Sequence, residues 1–266
     1  MNENGYTRGR TYTNKTIALL TDGIPNIRAA GGNTAPEMNG GNDSLNGSGG
    51  ETNWSMVNPA VVTYPGIDGP GITKSLQNGD ADGSVWRPAE ADTSIRPGWF
   101  YHPADDAKVR TVDNLYDLYF KSVGRNAKLL LNVPPTRAGL LHDTDVARLT
   151  QFRERLAKLN ESKIVRGAKS SWHATTGKLG ESLLEFNTPQ TISAFRLSED
   201  IAKGQSVARW SVQVMENNDW RVVARGTTIG YARMEHFDPL VARQVKLVIE
   251  EVVDETPSVR PLIVYG

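Results

Sequence analysis

The apolar positions in the middle of the chain predict two amphipathic helices. In residues 111–126 they recur every three or four residues, with Thr111 as a suitable N-cap and Gly124 as a helix end. The members of this first stripe are Val112, Leu115, Tyr116, Tyr119, Phe120 and Val123. A second helix is predicted to start after His142, capped by Asp143 or Thr144. Its stripe consists of Val146, Leu149, Phe152, Leu156 and Leu159.

A short apolar segment lies between these helices. Residues 128–135 read KLLLNVPP, which predicts a fully buried strand that two prolines stop. A buried strand that follows a helix is typical of α/β units with a parallel sheet.

The pattern changes after Asn160, where apolar and polar residues begin to alternate over short segments. The clearest are 192–197, 210–215, 220–224 and 245–249, with turn signals between them. Strands of this length and spacing predict an all-β sandwich of about 100 residues. We therefore expect an α/β domain over residues 1–160 and a β-sandwich over 161–266, with the boundary at 160–168.

The first of these domains is too short for a closed (β/α)₈ barrel, which takes about 250 residues. Residues 1–160 are therefore expected to form either the C-terminal portion of such a barrel or a smaller open α/β domain. In both cases the fold class is α/β plus all-β.

Composition excludes several classes of function. The chain of 266 residues has 30 Lys+Arg and 30 Asp+Glu, and this zero net charge argues against a nucleic-acid-binding protein. It has no cysteine, and therefore neither disulfides nor thiolate chemistry. No apolar run reaches the length of a membrane span, and residues 1–10 do not resemble a secretory leader. Such a start fits a cytoplasmic protein or a chain that begins inside a longer gene, so localisation stays open.

The segment Trp86–His102 concentrates residues suited to binding a sugar. It places carboxylates and arginines among large aromatic side chains. Aromatic rings cover the apolar face of a pyranose, while charged groups bind its hydroxyls. Paired carboxylates also perform glycoside hydrolysis. The alternative is a strand with a solvated charged face.

Three segments resemble the family 29 α-L-fucosidases: 51–55 (ETNWS), Trp86–His102 (WRPAEADTSIRPGWFYH) and 120–135 (FKSVGRNAKLLLNVPP). Two more, 197–205 (LSEDIAKGQ) and 226–233 (GTTIGYAR), resemble that family's C-terminal discoidin-like sandwich. The resemblance implies a (β/α)₈-like barrel followed by this sandwich. It also implies retaining hydrolysis of terminal α-L-fucosides by a carboxylate nucleophile and a second carboxyl group, which serves as acid and base.

The chain also departs from the family pattern. The family nucleophile lies in a Trp-Phe-Asp-Gly-type motif, which does not occur in this sequence. Family histidines that contact fucose come from upstream strands, whereas the first histidine here is His102. The chain is therefore expected to correspond to the C-terminal part of such an enzyme. Near Arg28, which matches a sugar-binding arginine, Ala29 replaces an aromatic residue and Thr34 replaces an acid.

The resemblance implies a set of candidate site residues. The candidate catalytic carboxylates are Glu51 and Glu90, and Glu37 is a further possibility for the acid/base. Glu90 has the alternative of an ion pair with Arg87 or Arg96. The candidate substrate-binding residues are Arg28, Trp86, Trp99 and His102. No metal or other cofactor is expected, because no cluster of ligands has metal-binding spacing.

Two other functions remain open. The first is a non-catalytic carbohydrate-binding protein, in which Trp172, His173, Trp210 and Trp220 of the sandwich contact glycans, and the second is an inactive truncated product. The expected partner is a fucosylated glycan, without nucleic acid or membrane. An incomplete barrel would also leave strand edges open to self-association.

Overall fold

The structure, a computed structural model, describes residues 52–62, 75, 78–87, 89–164, 168–176, 179–253 and 257–266. Its first part contains β1 (Met56–Val57), β2 (Val85–Trp86), β3 (Ala89–Ser94), α1 (Val112–Lys121), β4 (Ala127–Asn132) and α2 (Asp143–Glu161). Its second part contains β5 (Ala168–Ala174), β6 (Gly180–Leu197), β7 (Val207–Glu216), β8 (Asp219–Gly226), β9 (Arg233–Val252) and β10 (Ile263–Tyr265). Within these ranges, no helix is both long and apolar enough to cross a membrane.

The first part contains a parallel β–α–β unit, as the sequence predicts. β3 and β4 pair in parallel, from Ala89 opposite Ala127 to Ser94 opposite Asn132, and α1 connects them. Parallel neighbours require such a crossover connection. Consequently, the loops that follow both strands begin at the same edge of this sheet.

The predicted full burial of β4 is wrong. Leu129 and Leu131 pack on the core that α1 and α2 cover, whereas Leu130 is 43% exposed. Successive side chains of a strand point to opposite faces, and the helices cover only one face of β4. In the part of the chain that the structure describes, β3 is the one strand paired with β4.

Both predicted helices are present, with changes at their ends. α1 begins as predicted, with the Thr111 hydroxyl accepting a hydrogen bond from the amide of Asn114 at 3.1 Å, but ends at Lys121. The N-cap of α2 is His142, whose Nδ1 accepts the amide of Thr144 at 3.3 Å, and neither predicted cap is correct. Val146 is 46% exposed and lies outside the packed stripe.

The second part is one six-stranded sheet in the order β10-β6-β9-β7-β8, with β5 also paired to β6. All four predicted strand segments lie within it. The first half of β6 pairs with β5 and the second half of β9, whereas its last residues pair with β10 and the start of β9. The ladder between β6 and β9 shifts register between Glu185 and Gln190 and between Ile192 and Ala194. These irregularities bend the long strands, as β-bulges do.

A single apolar core joins both halves of this sheet, consistent with a β-sandwich portion. It includes Leu184 and Phe195 from the two halves of β6, together with Trp210 of β7. Trp210 is 0% exposed and its indole N–H donates to the carbonyl of Thr228. Trp210 is therefore a core residue, and its assignment as a glycan contact is wrong.

The two parts share a second apolar cluster and a backbone ladder. Phe120 of α1 packs with Met234 of β9 and Tyr265 of β10. The amide of Met234 donates to the carbonyl of Gly124 at 2.7 Å, and the amide of Asn126 donates to the carbonyl of Ala232 at 2.8 Å. The second part, called the sheet domain below, thus contacts the chain at the start of β4. This is the end of the strand opposite the loop that follows it.

Candidate functional site

An open pocket of about 510 Å³ lies where the loops after β3 and β4 meet. The loop after β3 contributes Tyr101, His102 and Pro103, and the loop after β4 contributes Thr136, Arg137 and Ala138. Loops at the carboxyl ends of parallel strands carry the active sites of β/α barrels. The pocket is therefore the candidate site in the described part of the chain.

A buried arginine fixes the loop after β3. The Nε of Arg96 lies 2.9 and 2.8 Å from the two carboxylate oxygens of Asp145, and both side chains are 0% exposed. Its NH1 lies 2.8 Å from Asp106, and its guanidinium is centred 4.8 Å from the ring of Tyr101. Arg96 therefore joins this loop to the start of α2 and holds the Tyr101 ring beside the pocket.

Asn132, the last residue of β4, connects the two loops. Its side-chain amide donates to the hydroxyl of Ser94 at 3.0 Å and to the carbonyl of Trp99 at 3.1 Å. One side chain thus fixes the end of β3 and the backbone three residues before His102. Its position at the carboxyl end of a parallel strand is the sequence signal for this role.

Arg110 supports the same loop from the residues before α1. Its Nε donates to the carbonyl of Ser94 at 2.7 Å, and its guanidinium also contacts Thr93 and Asn114. Burial lowers the pKa of Arg110 to about 10, so the side chain stays charged at neutral pH.

Only some of the predicted site residues lie in the part of the chain that the structure describes. Arg28 and Glu51 lie outside the described residues, as does Glu37. Glu90 is the second residue of β3, in register with Lys128. Arg96, one of the two alternative partners of Glu90, pairs with Asp106 and Asp145.

Of the three aromatic or histidine candidates, His102 lies in the pocket. It also precedes the 3-10 turn Pro103–Lys108, and its carbonyl accepts the amide of Asp105 at 3.0 Å. Trp99 is half-buried in the same loop. Trp86 is 69% exposed in β2, paired with Met56 of β1, and is not among the pocket residues.

The residues next to Glu51 lie against the sheet domain. Thr52 donates to the hydroxyl of Thr227, and the amide of Asn53 donates to the hydroxyl of Thr228 at 2.8 Å. The side chain of Asn53 also donates to the carbonyl of Arg125, just before β4. Segment 52–53 is therefore held near the start of β4, whereas the pocket lies beyond its end.

Asn126 occupies the centre of this junction. Its φ is +59°, a left-handed conformation that Asn tolerates better than most residues. Its side-chain amide donates to the carbonyl of Asn53 and the hydroxyl of Ser55, while its oxygen accepts the amide of Tyr231 at 2.8 Å. Asn126 therefore joins residues 53–55 to the sheet domain at the start of β4.

Sequence reasoning missed Thr136 and Arg137. Their only signal was position, since they follow a parallel strand and its two prolines. The described residues contain no cluster of three or more metal-binding side chains.

Comparison with known proteins places these elements in context. A family model described as alpha-L-fucosidase matches residues 70–161, which include β3, β4 and both pocket loops. Alpha-L-fucosidase 1 of Arabidopsis thaliana is 33% identical over 249 residues, covering 82% of this chain and 47% of the relative. The chain thus spans about half the length of the curated relatives it matches.

Solved structures give the same result. A glycoside hydrolase 29 family member from an unknown rumen bacterium is 32% identical with a TM-score of 0.71, covering 82% of this chain and 38% of that one. A family 29 fucosidase of Ruminococcus gnavus, solved in complex with fucose, is 25% identical with a TM-score of 0.71. That match covers 83% of this chain and 49% of that one.

Proposed function

We propose that this chain is a member of the family 29 α-L-fucosidases, that the protein hydrolyses terminal α-L-fucosides, and that the pocket after β3 and β4 is part of its active site. One observation carries the proposal: the region matched by the family model contains both strands and both loops that form the pocket. The parallel pair β3–β4 then belongs to a (β/α)₈-like barrel, and the six-stranded sheet is its discoidin-like partner domain.

The proposed chemistry is retaining hydrolysis. In the family pattern a carboxylate attacks the anomeric carbon, and a second carboxyl group protonates the departing oxygen and then activates water, at a separation of about 5–5.5 Å. This sequence lacks the nucleophile motif, so no residue of this chain is assigned to the attack. Glu51 is the first candidate for the acid/base and Glu90 is the second site carboxylate, both from the resemblance alone, since Glu90 lies near the start of β3 and residues 52–53 lie near the start of β4, away from the pocket. Arg28, Trp86, Trp99 and His102 are proposed to contact the sugar.

Hydrolysis of an aryl α-L-fucoside by the full chain tests this function. Glu51→Gln and Glu90→Gln are each expected to lower kcat/KM by about 100-fold or more, because each loses a group that exchanges charge or protons with the reacting sugar. Glu154→Gln on the exposed face of α2 is the matched control and should leave kcat/KM unchanged. Turnover that survives both site substitutions would refute the residue assignment. Absence of both turnover and fucose binding by calorimetry would refute the function.

A non-catalytic carbohydrate-binding role for the sheet domain is the second candidate. Trp172 on β5 is 41% exposed and its ring lies against Gly180, where a Cβ would come within 2.3 Å of the ring. An aromatic ring held flat and accessible in this way can stack on a sugar. Glycan binding that persists in His102→Ala but is lost in Trp172→Ala would support this second role.

A further inference from the structure

The guanidinium of Arg137 is available to bind a ligand in the pocket. The side chain is exposed and lines the pocket, and among the described residues it makes no ion pair or hydrogen bond. The neighbouring cations are engaged: Arg96 binds Asp106 and Asp145, and Lys108 binds Asp105 at 2.8 Å.

The backbone that carries Arg137 is a closed turn. The amide of Thr136 donates to the carbonyl of Leu140 at 2.8 Å, and its hydroxyl donates to the same oxygen at 2.9 Å. The amide of Gly139, which has φ +76°, donates to the carbonyl of Thr136. Arg137 therefore lies in a hydrogen-bonded turn and lines the pocket together with Tyr101 and His102.

We propose that Arg137 binds an anionic substituent, a carboxylate or a sulfate, on the saccharide that carries the fucose. This inference rests on the proposed fucosidase function and narrows its substrate class to acidic fucosylated glycans. A guanidinium matches the planar oxygen pair of a carboxylate and the oxygens of a sulfate with two parallel N–H donors. The pocket provides the space beside it for the sugar ring.

The acidic groups near the pocket do not oppose this role. Asp106 is bound to Arg96 and lies 3.5 Å from His142, and Asp105 accepts from Lys108. The hydrogen bond from Lys108 lowers the pKa of Asp105, so this carboxyl keeps its charge and its partner.

The test is calorimetric titration of the full chain with matched ligands at low and high salt. The ligands are a neutral fucosylated trisaccharide, the same trisaccharide with a sulfate, the same with a sialic acid, and methyl β-D-glucuronide, which lacks fucose. The wild type should prefer the acidic trisaccharides by about two- to fivefold, since an exposed ion pair contributes on this scale. The preference should shrink as salt rises.

Arg137→Gln should abolish the preference, measured as the ratio of the affinities for the acidic and the neutral trisaccharide, and Arg137→Lys should retain part of it. Arg153→Gln on exposed α2 removes the same charge outside the pocket and should have no effect. Equal affinity of the wild type for neutral and acidic trisaccharides would overturn the inference and leave the fucosidase proposal standing. The converse result is binding of the glucuronide that Arg137→Gln abolishes, without any binding of the neutral trisaccharide. That result would support an anion site at Arg137 and refute the fucosidase proposal.

Discussion

The buried pair of Arg96 and Asp145 offers the sharpest test of how the site loop is held. Substitution Asp145→Ala removes a carboxylate that makes two contacts of 2.9 and 2.8 Å with Arg96 at zero exposure. Breaking a buried ion pair from one side costs about 3–5 kcal/mol, because the remaining charge stays buried. Asp106, 33% exposed, still neutralises part of that charge, so we expect the lower end, about 3 kcal/mol.

Urea denaturation of the full chain measures this loss as a lower midpoint at unchanged slope. The double variant Arg96→Met/Asp145→Leu should recover most of the loss, since apolar side chains of similar size fill the site without a buried charge. The matched control is Glu216→Ala, which breaks an ion pair with Arg221 of 2.6 Å whose partners are about half exposed. That control should cost less than about 1 kcal/mol.

Two results would refute this reasoning. The first is a loss below about 1 kcal/mol for Asp145→Ala, which would mean that the pair is solvated. The second is a double variant as unstable as the single one, which would place the cost in packing rather than in the unpaired charge.

Three further predictions concern the junction, the sheet domain and the strand edge. Asn126→Gly should lower the free energy of unfolding by about 2–3 kcal/mol, because the side-chain hydrogen bonds of Asn126 are lost. Asn126→Ala should lower it by about 1 kcal/mol more, because φ at this position is positive. Equal urea midpoints for the two variants would contradict the backbone argument. Burial raises the pKa of Glu199 above 4.5, although hydrogen bonds from Ser206, Gly230 and Val207 oppose this. In this pH range the native state therefore keeps a proton that the unfolded state releases. Wild-type stability, measured by urea titrations at several pH values, should fall as the pH rises from 4.5 towards the higher native pKa. Glu199→Gln should be less stable overall and should lack this decline. Leu130→Lys should reduce concentration-dependent association in sedimentation velocity, because Leu130 is 43% exposed on β4, and a wild type that stays monomeric at all concentrations would contradict the expected edge pairing.

Local patterns were sufficient for the helices and for the position of β4, but not for burial. The apolar run Leu129–Leu131 looks fully buried in the sequence, yet which side chains are covered depends on the faces that α1 and α2 occupy. The cap of α2 was misplaced for a similar reason. His142 is an unusual N-cap, and its ring position also depends on Asp106, 36 residues earlier in the chain.

The long strands of the sheet domain were predicted only in pieces. The alternating pattern predicts a strand only over 192–197, whereas β6 runs from Gly180 to Leu197, through Pro189, with a register shift between Glu185 and Gln190. The candidate site shows the same division between local and distant information. His102 followed from its motif, whereas Arg137 became a candidate only when the parallel pairing of β3 and β4 brought two distant loops together.

The hydrogen bond between the Asn53 amide and the Thr228 hydroxyl joins residues 175 positions apart. At a synthesis rate of about 5–20 residues per second, Asn53 is incorporated about 9–35 seconds before Thr228. During this interval the segment around Asn53 and the start of β4 lack their partners from the sheet domain. These contacts of the α/β part therefore form only after the corresponding part of the sheet domain has been made.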